Sequence, residues 1–493
     1  MHGLSKLLTA ILVSLCLILL SACGGSSGGS ESASVQTGRV SVIVTDGPTD
    51  DFERILITLS RMTLIGSGGQ QVIYDGAPVT FDLLQLRDRA DLAFSERVVA
   101  GDYNKIRLEV TEVRLIDLGD PADPGDDVEV VLDRLPANGK IDLNPRGSFS
   151  VAADRPTVVE LDIDARRSFQ VVQTGNGRLK LRPVIFVNVY DDDIALPTRI
   201  TRVFGTVTEV DTDNSMLVLC DLEFVARLGD GPNPDMDACV RVFADGANHF
   251  DDAGLPFDFA ALAAAIGAAD TPRLTAVGLP SFPDTSAPAD TVLDLDAVVT
   301  EFGPRKTNAD TGWETTAGTV VSDPSADGCA ADSCVDFQPA EEADPLPVQL
   351  RPETRVFTAD GVEIGQADIG TGRKGAFDGL RVDEAGIEEL RAALFIAGPA
   401  VEDGAISGTL TAVSIGDEFD VLTVQPEGAA AVSACVTGDT DLLRILTDDE
   451  TTTIADLLDP AALDPSEGLQ VEVSGDPGAD PACDIDASLV IVD

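Results

Sequence analysis

The chain has 493 residues, with 33 Lys plus Arg against 85 Asp plus Glu, for a formal net charge of −52. Hydrophobic residues make up 44% of it, enough for cores in about three domains, so the acidity does not mean global disorder. That charge repels phosphate backbones and anionic headgroups, which excludes nucleic acid and electrostatic membrane docking, and two histidines exclude an imidazole-rich metal centre.

The first element is an address. Lys6 precedes an apolar and small-residue run at 7–20, too short to span a bilayer comfortably. Leu20, Ser21, Ala22 and Cys23 follow, an order that resembles the bacterial lipobox. The resemblance implies a signal peptide at 1–22, diacylglycerol on the Cys23 thiol, and a Gly/Ser tether at 23–36 that holds the folded part off the membrane. Gly24 stands where an Asp would favour retention in the inner membrane, so the implied location is the outer membrane, reached through the N-terminal lipid.

Residues 37–195 read as strands at 39–45, 55–65, 79–86, 104–116, 128–132, 157–163 and 179–189, separated by Gly, Pro and Asp turns. Lys105 to Val110 alternate charged and aliphatic residues, one face packed and one wet. That pattern predicts an antiparallel β-sandwich. The fragments GRVSVIVTDGP (38–48), FDLLQL (81–86), AGDYNKIRL (100–108), DIDA (162–165) with Ser168, and LRPV (181–184) resemble, in register, a family of bacterial lipoproteins carrying domain of unknown function 4382. The family has Pro where this chain has Val99. The resemblance implies a sandwich module and no particular activity.

Beyond Leu196 the composition turns toward Asp, Ala, Gly and Pro. FGTV (204–207), AGTV (317–320) and SGTL (407–410) open three segments of similar design, at 200–303, 314–400 and 404–493. Each has two early strands and then a helix-like stretch, at 257–266, 384–394 and 454–463. The segments resemble small barrels of the domain of unknown function 5666 class. The expected fold is therefore mainly all-β: a sandwich followed by about three small barrel-like repeats with short helices, arranged as beads on a tether.

Export places the remaining cysteines in an oxidising compartment. Cys220, Cys239, Cys329, Cys334, Cys435 and Cys483 allow 15 connectivities. They fall as three neighbouring pairs, one in each repeat, and are expected to bond locally. A thiolate metal site is the rival reading, and the spacings do not suit it.

Chemistry would have to run on carboxylates. Asp46 ends an apolar strand before Gly47 and Pro48, with Asp50 and Asp51 close behind, an oxygen-rich group that would suit Ca²⁺; an Asx turn is the competing reading. Asp211, Asp213 and Asn214, and the cluster from Asp230 to Asp237, read first as solvated acidic loops. Asp162 and Asp164 share a strand face, but a hydrolase pair needs a cleft that spacing cannot show. His249, the sole histidine past the signal, has no Gly-x-Ser-x-Gly elbow to serve. Trp313, the single Trp, is the candidate sugar platform, against a reading as an apolar plug between repeats. The expected function is a non-catalytic, lipid-anchored envelope module for adhesion or scaffolding, binding a glycan, an envelope protein or a divalent cation. The alternative is an extracytoplasmic carboxylate-dependent hydrolase.

Overall fold

Alternation decides the first half of the chain. Along the strand Gly101–Asp117, Ile106, Leu108 and Val110 are buried, then Val113 and Leu115. The phase changes at exposed Thr111 and Glu112, where the pairing with Arg54–Gly66 slips. One extra residue there keeps both runs of aliphatics on the same face.

The structure is a computed structural model. It describes residues 35–492 apart from 48–51, 53, 68, 118–127, 133–134, 146, 171–179, 182, 192–193, 229–232, 235, 285, 307–311, 326–332, 341, 343, 385–386, 399–403, 417–418, 427–428, 439, 448–452, 458, 479 and 481. Thr37–Asp493 forms one compact unit. No helix among the described residues is long and apolar enough to cross a membrane. The signal peptide, Cys23 and most of the tether lie outside the described residues.

Two sheets make the sandwich. One runs Ile185–Tyr190, Pro156–Asp164, Thr37–Gly47, Ala90–Val99; the other runs Val79–Asp82, Arg54–Gly66, Gly101–Asp117, Lys140–Leu143. Val42, Val44, Ile57, Phe94, Leu108 and Leu161 belong to the core between them. Thr37–Gly47 and Pro156–Asp164 pair in parallel, a departure from the purely antiparallel sandwich expected.

Among the described residues, three five-stranded barrels follow. In chain order their strands are Thr201–Asp211, Met216–Glu223, Cys239–Phe243, Arg273–Ser281 and Thr291–Phe302; Trp313–Val320, Ser333–Pro339, Leu346–Thr358, Lys374–Glu384 and Ile387–Ala397; and Gly404–Ser414, Asp420–Gln425, Val432–Val436, Gln470–Pro477 and Ile485–Val492. In each, strand one pairs with two, two with three, three in parallel with five, five with four, and four with one. The closed order 1-2-3-5-4 is a Greek-key barrel of the OB type. The Gly-Thr signature has a steric cause. A Cβ on Gly205, Gly318 or Gly408 would stand 2.6, 2.1 or 2.5 Å from a carbonyl oxygen of the second strand, so only glycine lets the two strands cross this closely.

Two of the three helix-like stretches are strands. Residues 384–394 fall mostly in Ile387–Ala397, whose run Ala392 to Ala397 is buried throughout; a continuous apolar run does not distinguish a core strand from a helix. Residues 454–463 contain the strand Thr453–Leu457 and the single 3-10 turn Pro460–Ala462. Asp459 and Pro460 stop the chain from continuing as an α-helix, and a sandwich edge recruits the strand. The first stretch does hold a helix, Phe259–Ala268, shifted by two residues because the Asp258 side chain caps it by accepting from Ala261 N.

The repeats are not beads. Asp91 and Ala90 pair with Arg202 and Thr201, Arg227–Leu228 adds to Val79–Asp82, and residues 453–455 pair with 141–143. The first and third barrels thus continue the sandwich sheets and cover edges that would otherwise offer unpaired backbone groups. Cys220 is bonded to Cys239 and Cys435 to Cys483; Cys334 is also disulfide-bonded, and Cys329 lies outside the described residues. The first bond closes a 19-residue separation, worth about 3 kcal/mol by loop closure. The double variant Cys220→Ser/Cys239→Ser is expected to lose about that much in denaturant titrations. A midpoint equal to that of the parent would contradict it.

Candidate binding cleft at the domain junction

The sandwich and the first two barrels meet around buried charge. Because Arg202 lies beside Asp91 in a parallel register, its guanidinium grips that carboxylate with two bonds of 2.8 Å, while Ala226 N donates to Asp91 Oδ2 at 3.0 Å. From the fourth strand of the second barrel, Asp378 accepts from Arg89 Nη1 at 2.7 Å and lies 3.7 Å from Arg202 and 3.5 Å from Arg305. Thr315 Oγ1 donates to Asp378 Oδ1 and accepts from Arg202 and Arg305. Arg305 also donates to Glu301 Oε2 at 2.7 Å. All six charged side chains are buried. Burial alone would push the Asp378 carboxyl up, but Arg89, Arg305 and Arg202 together hold it well below the usual carboxylate range.

Glu301 goes the other way. Burial pushes its carboxyl up to about 8, with Arg305 opposing and Asp378 adding to the rise. An acid with a raised folded pKa keeps its proton while the unfolded chain loses it. Its stability contribution therefore declines as pH rises from about 4.5 to about 8, and is level above that. Glu301→Gln is expected to flatten this part of the pH–stability curve. Calorimetric scans across that range that keep the parent slope would count against it.

Beside this network a cleft of about 270 Å³ opens. The sandwich contributes Arg54 and Asp82, the first barrel Phe204 and Glu223, and the second Glu314 and Arg381. Glu314 accepts from Arg381 Nε at 2.7 Å and Lys306 Nζ at 2.8 Å, Arg381 Nη2 reaches Glu342 at 2.6 Å, and Arg54 Nε reaches Asp82 at 3.3 Å. Burial would raise the Glu314 carboxyl, yet Lys306 and Arg381 keep it below its ordinary value and ionised. Arg273 stacks over the Phe204 ring at 4.3 Å.

The residues singled out in the sequence lie elsewhere. Asp46 is 1% exposed. Its Oδ1 accepts from Ala165 N at 3.0 Å, and Oδ2 is buried without a hydrogen-bond partner. Burial drives its carboxyl well above the usual range; the bond from Ala165 opposes this, and Asp162 and Asp164 on the neighbouring strand add to it. Asp46 therefore ties the end of its strand to the helical turn Ala165–Ser168 that follows the neighbouring strand; Asp50 and Asp51 lie outside the described residues. Among the described residues, one group of three potential ligand atoms falls within 4.8 Å, at Cys435, Cys483 and Asp486, and its two sulfurs are bonded to each other. Asp211 forms an Asx turn, accepting from Asp213 N, Asn214 N and Asn214 Nδ2. Asp230 and Asp235 lie outside the described residues. His249 is buried, its Nδ1 2.8 Å from Thr300 Oγ1.

Trp313 is 1% exposed and offers no face to a sugar. It meets the Phe250 ring edge-on at 6.3 Å, donates Nε1–H to Phe302 O at 2.9 Å, and packs with Val277, Phe357, Leu394 and Ile396 between the first two barrels. It is the plug between repeats.

Sequence reasoning missed Arg89, Asp91, Arg202, Glu301, Arg305, Thr315 and Asp378. A signal existed for two of them: Arg202 precedes the apolar pair Val203 and Phe204 in a strand-like segment, and Asp378 stands between Phe377 and Gly379 in a strand. A charge inside an apolar strand is the informative exception to burial rules. The model of a family described as Domain of unknown function (DUF4382) matches residues 37–183, which covers most of the sandwich. The sequence fragments that resemble that family fall within the match, apart from Val184 at its margin. No curated protein matches the chain.

Proposed function

We propose that the chain is a non-catalytic, lipid-anchored module of the cell envelope, located at the outer membrane, that presents its fused β body to a glycan or an envelope protein. The carrying observation is the set of bonded cysteines, Cys220 with Cys239 and Cys435 with Cys483, the state favoured in an oxidising extracytoplasmic compartment. The lipobox-like run ending at Cys23 and the Gly/Ser stretch after it support anchoring, and acyl chains at about 0.8 kcal/mol per buried CH₂ make such anchoring stable. Fusion of the barrels to the sandwich supports a rigid presenting surface. The hydrolase alternative needs an accessible pair of Asp or Glu carboxylates; Asp46 has a raised pKa that suits a general acid, and its 1% exposure argues against it in that role.

Mass spectrometry of the native protein is expected to find the N-terminal peptide beginning at Cys23 and carrying lipid. Cys23→Ala is expected to move the protein from the membrane to the soluble fraction. An unmodified N-terminal peptide would defeat the anchoring reading. Turnover of glycan or ester substrates that disappears with a carboxylate substitution would defeat the non-catalytic one.

A further inference from the structure

We infer that the cleft between the sandwich and the first two barrels binds a neutral, hydroxyl-rich ring, a single sugar residue of a glycan. The inference rests on the binding-module reading and gives it a site. Size comes first. At about 270 Å³ the cleft lies just below the range of sites for drug-sized ligands, room for one ring and not for a chain laid lengthwise, and it sits at a domain interface, where ligand sites concentrate.

Charge selects the ligand class. The chain carries 85 acids against 33 bases, yet Arg54, Arg227, Arg305, Lys306 and Arg381 line this cleft with Asp82, Glu223, Glu314 and Glu342. The acidic excess of the whole molecule is cancelled here. Arg54, Lys306, Arg305 and Arg381 each have a carboxylate within 3.3 Å, so a free anion would compete with partners already in place, and a cation would meet carboxylates already paired. A hydroxyl escapes that competition: it donates to Glu314 or Glu342 while accepting from Lys306 or Arg381, bridging a pair without breaking it. Leu84, Val225, Leu228 and Ala340, none of them buried, supply apolar contacts on the same cleft for the C–H face of the ring.

The test uses the full chain in detergent with glucose, galactose and N-acetylglucosamine as probes, read by saturation-transfer NMR and calorimetry, and glucuronate as the charged control. At least one neutral sugar is expected to bind, with affinity insensitive to salt. Ala340 is exposed, so Ala340→Trp fills the cleft from its rim, and its melting temperature is expected to match the parent while binding falls by at least about tenfold. Glu342→Gln, on a half-exposed rim residue, is expected to weaken binding about fivefold and keeps the test open if the tryptophan variant does not fold. The inference is overturned if no neutral sugar binds, if a sugar binds equally well to both variants, or if glucuronate alone binds with an affinity that collapses in salt, which would make the cleft an anion site. None of these outcomes bears on the lipid at Cys23, so the two readings fail separately.

Discussion

Replacing Asp378 with alanine is expected to destabilise the junction by about 3–5 kcal/mol, the cost of removing one partner from a buried ion network. Arg89, Arg202 and Arg305 would be left facing one another with Asp91 and a protonation-prone Glu301 as the remaining counter-charges. The side chains concerned are 0–3% exposed, so water cannot take over. Trp313 gives a local readout: it is the single Trp of the chain and lies between the two barrels that the network joins. Its emission is expected to shift to the red at lower denaturant in Asp378→Ala than in the parent. Asp378→Asn is expected to behave almost as badly, since the amide keeps shape but supplies no charge. An unchanged fluorescence transition in both variants would mean that the network contributes nothing to holding the barrels together.

Trp313→Ala is the second large effect, about 3–5 kcal/mol for emptying a fully buried aromatic site. Part of that is the bond from Nε1 to Phe302 O, whose loss strands a carbonyl acceptor. Trp313→Phe is expected to cost less, because it retains the edge contact with Phe250 while giving up the bond and some volume. Since the variant removes the fluorophore, circular dichroism and calorimetry are the appropriate measurements. A single cooperative melt is expected to split, with the second barrel releasing first. A Trp313→Ala melt superimposable on the parent would show that the cluster is not a shared core.

The β character and the small barrels were legible because they are written locally. Lys105 to Val110 alternate, and each barrel's first strand carries the Gly-Thr pair that close crossing requires. The junction was not legible because it is written in separated residues. Asp378 comes from the second barrel, Arg202 from the first and Arg89 from the sandwich, and nothing in the spacing of the three announces that they meet. Trp313 stayed open between plug and platform for a related reason. Its neighbours Thr311, Gly312, Glu314 and Thr315 are polar or small, as in a loop, but Trp313 begins a strand of the second barrel at the junction with the first, where alternate residues face the interface, and Trp313 and Thr315 both do. Residues 384–394 failed on a third ground: Ala, Leu and Glu favour helices, and two neighbouring strands overruled that preference through burial.

The pairing of residues 453–455 with 141–143 joins segments more than three hundred residues apart. A nascent polypeptide leaves the ribosome from its N-terminal end, so the partner strand of Lys140–Leu143 is synthesised more than three hundred residues after it. Until then the half-built sandwich has a raw margin, the situation in which long-range strand topologies fold slowly and stick to one another. Truncation after the matched family region would make that interval permanent, and such a fragment is expected to self-associate rather than persist as a monomer.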